Sequence, residues 1–267
     1  MAFGDLGSSG LADFLAAGRF VDELCVFIHI PKTAGSSLSA ELARLRPPYH
    51  NIHRRYFDGE TVTFTSMEEE IATFVAEPEL ADARSCSGHF TWEQAAPIRA
   101  ARPDARFFTF LRDPVQRVIS DYRYSRTPTH PTYRETIARF PTIETYVEAR
   151  ETQDKMARFL LPDDVRTRDA IAAFLNQNYA FVGLLEMYPL SFNILSRLLG
   201  DNLLPSEHRR KTENTQDNEV ADTPALRSYI LDHNQRDRDL YDIAHQRLLA
   251  IRDAWRTLRV SEVANER

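Results

Sequence analysis

The feature that most constrains the fold is a short apolar strand that runs directly into a turn of small residues and then a helix. Residues 24–30 (LCVFIHI) form a nearly continuous apolar run rich in β-favouring residues. Such a run is typical of a strand buried on both faces of a parallel sheet. Residues 31–37 follow as a turn, and residues 37–46 carry leucines at helical spacing. This order predicts an α/β fold.

The same order recurs along the chain. Residues 106–111 (RFFTFL) predict a second strand, and Pro114 fits the first turn of the helix that follows. Further strands are predicted over residues 84–88 and 181–183. Helices are predicted over residues 67–76, 143–160, 169–176 and 188–199 and, as one or two helices, over 225–258. Residues 127–142 and 201–223 are predicted loops.

Composition and charge exclude several classes of protein. The net charge of -6 argues against general nucleic-acid binding, although residues 50–55 and 112–126 are locally basic. No apolar stretch is long enough to span a membrane, and residues 1–20 do not resemble a signal peptide. Cys25 and Cys86 are the only cysteines, so no disulfide framework is implied. We therefore expect a cytoplasmic protein.

The turn Pro31-Lys32-Thr33-Ala34-Gly35-Ser36-Ser37 is a candidate phosphate site. The free N–H groups and the positive dipole end of the following helix attract anions, Gly35 allows close approach, and Lys32 adds a charge. ATP-binding loops of the Walker type place the lysine directly after the last glycine. Here Lys32 precedes Gly35 by three residues, which disfavours a kinase or ATPase. A plain strand-to-helix turn with a solvated lysine is the alternative.

Residues 108–122 repeat the strand, turn and helix, with Arg112 at the strand end where ligands gather in α/β sheets. Ser120 lies about two helical turns beyond Pro114. Together the Arg112 guanidinium and the Ser120 hydroxyl could hold a second phosphate. A local salt bridge or helix cap formed by Arg112 and Asp113 is the alternative.

These segments resemble the motifs of sulfotransferases that use 3′-phosphoadenosine 5′-phosphosulfate (PAPS). FIHIPKTAGSS (residues 27–37) resembles their 5′-phosphosulfate loop, and FLRDPVQRVISDYR (residues 110–123) resembles their 3′-phosphate motif. The wording is most similar to the branch that contains heparan sulfate 2-O- and 6-O-sulfotransferases and their bacterial relatives. Residues 87–92 (SGHFTW) resemble the segment that carries the catalytic histidine of that branch, and residues 181–186 and 234–241 resemble its later segments.

The resemblance implies an α/β fold with a P-loop-type central parallel β-sheet flanked by helices and a helical C-terminal part. Residues 1–267 would form a single sulfotransferase domain, with an N-terminal extension (1–22), a nucleotide-binding core (24–126) and a helical, substrate-binding part (127–267). Lys32 would contact the sulfuryl group, and His89 would be the general base. The implied donor contacts are Lys32, Thr33, Ala34, Gly35, Ser36, Ser37, Arg112, Ser120 and, in a segment closing over the nucleotide, Lys211.

The acceptor is expected to be a carbohydrate or glycoconjugate hydroxyl, although a lipid-linked sugar, a small alcohol or phenol, and a peptide tyrosine stay open. Candidate acceptor contacts are His53, Arg54, Arg55 and Trp92, and Trp92 is equally compatible with core packing. Glu186 and Glu93 are alternative bases, and no metal is required because no cluster with ligand spacing occurs. The competing function is a P-loop nucleotide-binding protein or kinase without sulfuryl transfer. The lack of an anchor and the few cysteines favour a bacterial-type cytoplasmic enzyme.

Overall fold

The computed structural model describes residues 2–33, 35–57, 63–76, 79–205 and 219–265. Its centre is a five-stranded parallel sheet with the strand order β2-β5-β1-β6-β7, and β3 and β4 form a small antiparallel hairpin. The strands are β1 (Cys25–Ile28), β2 (Tyr49–Ile52), β3 (Tyr56–Phe57), β4 (Thr63–Phe64), β5 (Ser85–Gly88), β6 (Arg106–Leu111) and β7 (Phe181–Leu184). The predicted α/β fold with a central parallel sheet is therefore confirmed.

Helices surround the sheet and make up most of the chain after β6. Short 3-10 helices cover Phe3–Gly7 and Arg150–Thr152. The α-helices are α1 (Leu11–Ala17), α2 (Gly35–Leu45), α3 (Met67–Ala76), α4 (Glu79–Asp82), α5 (Ala96–Ala101), α6 (Pro114–Ser125), α7 (Tyr133–Arg139), α8 (Ile143–Glu148), α9 (Lys155–Leu160), α10 (Arg168–Asn178), α11 (Tyr188–Leu198), α12 (Pro224–Asp232) and α13 (Gln235–Asn265).

Burial explains why the strands were recognisable in the sequence. Every residue of β1, β5 and β7 is buried, because helices cover both faces of a parallel sheet. Phe3 and Phe14, near the start of the chain, belong to the same apolar core as these strands. A second cluster joins α6, α8 and α12 through residues such as Val118, Tyr146 and Ile230.

One strand of the central sheet was missed, and two local predictions were wrong. β2 was missed because an edge strand pairs on one side only, so its polar residues His50 and Asn51 do not show the apolar run of a central strand. Residues 127–142 were predicted as a loop, but they contain α7, which has no buried residue and hence no apolar stripe to reveal it. The predicted helix 143–160 is broken before α9, where Asp154 adopts a left-handed φ of 46°.

Candidate active site

The loop after β1 is shaped to present backbone N–H groups. Lys32 has a φ of 70°, a left-handed conformation that costs a non-glycine residue about 1–3 kcal/mol and is found mostly at functional sites. Helix α2 begins at Gly35, so the N–H groups of its first turn have no partner within the helix. Thr33 is buried, and its hydroxyl donates to the carbonyl of Ile30 at 3.0 Å. Its side chain therefore holds the loop through this bond and is not exposed to a ligand.

Gly35 is required because the His29 ring fills the space beside it. A Cβ added at Gly35 would lie 1.8 Å from Cδ2 and 2.0 Å from Nε2 of His29. His29 stacks on Phe27 with a centroid separation of 5.5 Å, and burial together with the neighbouring His89 lowers its pKa to about 3. His29 is therefore neutral and forms the floor under the first turn of α2.

Arg112 connects the ends of β6 and β1. Its Nη1 donates to the carbonyl oxygen of Lys32 at 3.2 Å, so the guanidinium lies against the loop that it was predicted to accompany. Asp113 is the N-cap of α6, where its side chain accepts from the Gln116 N–H at 2.9 Å. Ser120, in the same helix, is half-buried. Asp113 thus forms the helix cap that was predicted as the alternative, and Arg112 lies beside it at the end of the strand.

Strand register brings three histidines together. Ile28 of β1 and Ile52 of β2 both pair with Gly88 of β5, so His29, His53 and His89 each follow an aligned position. His89 occupies the middle of this row. Its ring centroid lies 4.1 Å from that of His29.

The environment of His89 sets its tautomer and its charge. Nδ1 lies 2.6 Å from the carbonyl oxygen of His29. Because a carbonyl only accepts, Nδ1 carries the proton and the neutral ring keeps a lone pair on Nε2. The side chain is accessible to solvent, but the surrounding protein desolvates it enough to lower its pKa, with Lys155 adding to this effect and Asp121 opposing it. His89 is therefore neutral at pH 7.

Lys32 reaches over the ring of Tyr124. Its Nζ lies 4.0 Å from the ring centroid, and Tyr124 packs edge-on against His130 at 5.1 Å. Burial lowers the pKa of Lys32, the carboxylate of Asp121 raises it, and Arg112 lowers it further. The aromatic face holds the ammonium in place through a cation–π contact.

A buried cluster of charged side chains is centred on Asp121 of α6. Asp121 accepts hydrogen bonds from Lys155 Nζ at 2.6 Å, Tyr146 OH at 2.9 Å and Arg117 Nη1 at 3.1 Å. Burial alone would raise the pKa of Asp121, but the cations Lys155 and Arg117 lower it to about 2. The carboxylate thus stays ionised and fixes Lys155 close to His89.

The cluster extends to α13 through Arg117. Its Nε lies 3.7 Å from Oδ2 of Asp237, and both side chains are fully buried. Asp237 also accepts from the N–H groups of Met156 and Ala157 at the start of α9. Burial raises the pKa of Asp237 to about 6, although Arg117 opposes that shift. The Arg117–Asp237 pair therefore joins α6 to α13, and Asp237 binds the start of α9, the helix that carries Lys155.

The structure assembles part of the predicted site and separates the rest. Lys32, Arg112 and His89 lie on adjacent strand ends, with His53 next to His89 in the register. Arg54 Nε donates to the Thr65 carbonyl at 2.7 Å, and Arg55 is ion-paired at 2.9 Å. Ala34 and Lys211 lie outside the described residues.

Trp92 does not belong to this site. It packs against Phe107, Phe174 and Tyr179 with centroid separations of 5.2–5.5 Å, on the side of the sheet away from the loops. Trp92 is therefore not the suggested acceptor contact, and the alternative role, core packing, applies to it. Sequence reasoning also missed Lys155, which no local motif marks because its partner Asp121 is 34 residues away.

Glu186, one of the alternative bases, has a bridging role. Its carboxylate accepts from the Asp113 N–H at 3.0 Å and from the Tyr241 hydroxyl at 3.3 Å.

Both cysteines are buried free thiols. Among the described residues, no group of three or more His, Cys, Asp or Glu could hold a metal ion. In the same part of the chain, no helix combines the length and apolarity needed to cross a membrane.

Comparisons with known proteins agree with the resemblance of the motifs. The family model described as "Sulfotransferase family" matches residues 21–243. No curated protein matches the chain. A sulfotransferase from Alicyclobacillus acidocaldarius is similar in structure, with 18% identity, a TM-score of 0.45 and coverage of 89% of this chain and 100% of that one.

Mouse sulfotransferase SULT7A1, solved in complex with PAP, is also similar. Its identity is 13% and its TM-score is 0.42, with coverage of 91% of this chain and 95% of that one. The family match spans the central sheet, both strand-end loops and the segment that carries Asp237. The chain belongs to the sulfotransferase family.

Proposed function

We propose that this protein transfers the sulfuryl group of PAPS to an acceptor hydroxyl, with His89 as general base. The observation that carries the proposal is the position of His89. Its ring is neutral and solvent-accessible, its Nδ1 is directed to the His29 carbonyl, and it lies on the strand next to the Lys32 loop. A base within one strand spacing of an anion loop suits group transfer to a hydroxyl.

The donor-binding groups fit a nucleotide with two separate phosphates. The first turn of α2 presents N–H groups and a positive dipole end, which suit the 5′-phosphosulfate. Arg112 lies beside this loop, at the next strand end, and offers a fork of donors to the 3′-phosphate. Ser120, half-buried on α6, is the second proposed contact to that phosphate.

In the proposed reaction the acceptor oxygen attacks sulfur in line with the bridging oxygen of the donor. A new oxygen–sulfur bond forms as the bond from sulfur to the bridging oxygen breaks, and the hydroxyl proton passes to Nε2 of His89. The electron pair leaves with the 5′-phosphate of 3′-phosphoadenosine 5′-phosphate (PAP). Lys32 and the loop N–H groups stabilise that developing charge, the kind of electrostatic assistance that dominates such transfers. Base catalysis is typically worth about 10²–10⁴-fold.

We propose a carbohydrate or glycoconjugate hydroxyl as the acceptor. The resemblance of both motifs to glycan-modifying sulfotransferases supports this choice. His53 lies beside His89 in the register, and Arg54 lies 5.0 Å over the Phe64 ring, so an exposed cationic and aromatic surface adjoins the base. The two buried free thiols are consistent with the reducing compartment of a cytoplasmic enzyme.

Thermal unfolding with PAP, ADP and ATP tests the donor site. A ligand at about 100 times its Kd adds roughly 2.7 kcal/mol of stability. We expect a rise in Tm specific to PAP, lost in Arg112→Ala and retained in Arg106→Ala, because these arginines bracket the same strand β6. An equal rise with ATP, or retention in Arg112→Ala, would refute the donor assignment.

Release of PAP from PAPS tests the acceptor. The panel contains a desulfated oligosaccharide, a simple phenol and a tyrosine peptide, each at equal hydroxyl concentration. We expect PAP release with the oligosaccharide and none with the other two in wild type, and a loss of at least 100-fold in His89→Asn. Equal turnover of the phenol would contradict the carbohydrate assignment, and PAP binding without turnover of any acceptor would indicate a nucleotide-binding protein.

A further inference from the structure

A separate cavity opens at the amino-terminal edge of the sheet, opposite the strand ends that carry Lys32 and Arg112. It has a volume of about 190 Å³. Its walls include the start of β6, the end of α10, the segment between β5 and α5, and α5 with the loop that follows it. The residues that matter for its chemistry are Trp92, Arg99, Arg106, Phe107, Asn178 and Tyr179. None of these takes part in the proposed sulfuryl transfer.

Arg99 is the unusual group in this cavity. Its guanidinium lies 4.0 Å over the Trp92 ring and 5.9 Å from the Phe107 ring. Within the described part of the chain, the only hydrogen bond of its side chain goes from Nη1 to the Trp92 carbonyl, and no carboxylate lies within ion-pair distance. Burial lowers the pKa of Arg99, as expected for a cation that is partly removed from water without a counter-charge.

The other two arginines of the cavity are balanced. Arg102 makes a two-point ion pair with Asp104 at 2.8 and 2.9 Å. Arg106 lies 3.5 Å from Glu23 and is exposed. Among the residues that the structure describes, the positive charge that faces the cavity without a carboxylate partner is therefore that of Arg99.

The remaining donors of Arg99 match an oxyanion. A guanidinium offers five N–H donors in a planar fork, and the Trp92 carbonyl uses one of them. Asn178 lines the same cavity. One N–H of its side-chain amide donates to the Phe174 carbonyl, and the second N–H is a further donor. The cavity volume of about 190 Å³ is below the roughly 300–1,000 Å³ of typical small-molecule and cofactor pockets, which suits a small anion.

We propose that this cavity binds a small oxyanion, a phosphate, sulfate or carboxylate group, through the Arg99 guanidinium stacked on Trp92. The bound anion offsets the charge of Arg99, and the aromatic wall keeps the guanidinium plane in position to donate two parallel hydrogen bonds. The site is independent of the proposed sulfuryl transfer, because none of its lining residues lies at the carboxyl ends of the strands.

Trp92 fluorescence reports on the site directly. Trp255→Phe leaves Trp92 as the only tryptophan, and circular dichroism checks that this variant folds. The titrants are inorganic phosphate, sulfate and acetate, each against sodium chloride at equal ionic strength. Four proteins are compared: Trp255→Phe alone, and the same variant with Arg99→Gln, with Arg112→Ala or with Arg158→Gln.

We expect a saturable fluorescence change with at least one oxyanion and none with chloride. Arg99→Gln should raise the Kd at least tenfold, whereas Arg112→Ala should leave it unchanged, which separates this cavity from the donor loop. Arg158→Gln, an exposed arginine on α9, is the charge-matched control. Calorimetric titration of the same anion into Arg112→Ala and Arg112→Ala/Arg99→Gln repeats the test with Trp255 intact. An unchanged Kd in Arg99→Gln, or no saturable change beyond chloride, would overturn the proposal.

Discussion

Substitution of Gly35 should expose how the phosphate loop is supported. In Gly35→Ala the added Cβ would lie 1.8 Å from Cδ2 and 2.6 Å from Cγ of His29. Ordinary carbon contacts require about 3.5 Å or more. Either the imidazole or the first turn of α2 must therefore move by more than an ångström. The ring has little room, because it lies between Phe27 and His89.

The expected cost follows from overpacking. Inserting a methyl group into a closely packed site costs typically 1–3 kcal/mol, and the depth of this overlap places Gly35→Ala at about 3 kcal/mol. For a chain of this length we expect Tm to fall by about 6–12 °C. The shift of the first turn should also weaken PAP binding at least tenfold, since the loop N–H groups would leave their positions.

A double-mutant cycle with His29→Ala tests the mechanism. Removing the imidazole opens the space that the new methyl group needs, so the cost of Gly35→Ala should fall by at least 1 kcal/mol in that background. Gly10→Ala is the matched control, because its Cβ would meet only Asp13 Oδ2 at 3.7 Å, an ordinary contact. The reasoning fails if Gly35→Ala changes stability by less than 0.5 kcal/mol, or if its cost is the same with and without His29.

Three further predictions concern the charges around the site. Asp121→Asn should destabilise the fold by about 3 kcal/mol in urea unfolding, because Arg117 and Lys155 lose their shared carboxylate; a loss below 1 kcal/mol would contradict this. In the wild type, the contribution of Asp121 to the free energy of unfolding should be complete above about pH 4 and lost as pH falls towards the Asp121 pKa of about 2. The raised pKa of Asp237, about 6, should lower the free energy of unfolding as pH rises from about 4 to 6. Urea midpoints measured across pH should therefore lose their acid-side fall in Asp121→Asn, and parallel curves would refute the assignment. The lowered pKa of His89 should keep kcat/KM constant down to a pH below 6.5, and an acid limb at or above 6.5 would argue against His89 as the base.

Short-range patterns in the chain were sufficient to identify the central strands and the two anion-suited loops. β1 is apolar and buried over its whole length, and β6 is buried from Phe107 onward, because both faces of the sheet are covered, so a single segment carries the signal. The pair Asp113-Pro114 likewise indicated the start of α6, because both residue types are favoured at the beginning of a helix. The same locality explains the failures at β2 and α7, whose residues have little apolar surface to bury.

The environment of each side chain was decided by tertiary structure. The resemblance had already indicated His89 as the base, but only strand register aligns it with His29 and gives its Nδ1 a carbonyl acceptor 60 residues away. Lys155 lies near the site because of its ion pair with Asp121. Trp92 lies away from the site because it packs against Phe107. Residue types and local periodicity therefore determine which strands, turns and helices form. Charge pairing, desolvation and the direction of each side chain depend on contacts between distant segments, and those exist only once the chain has packed.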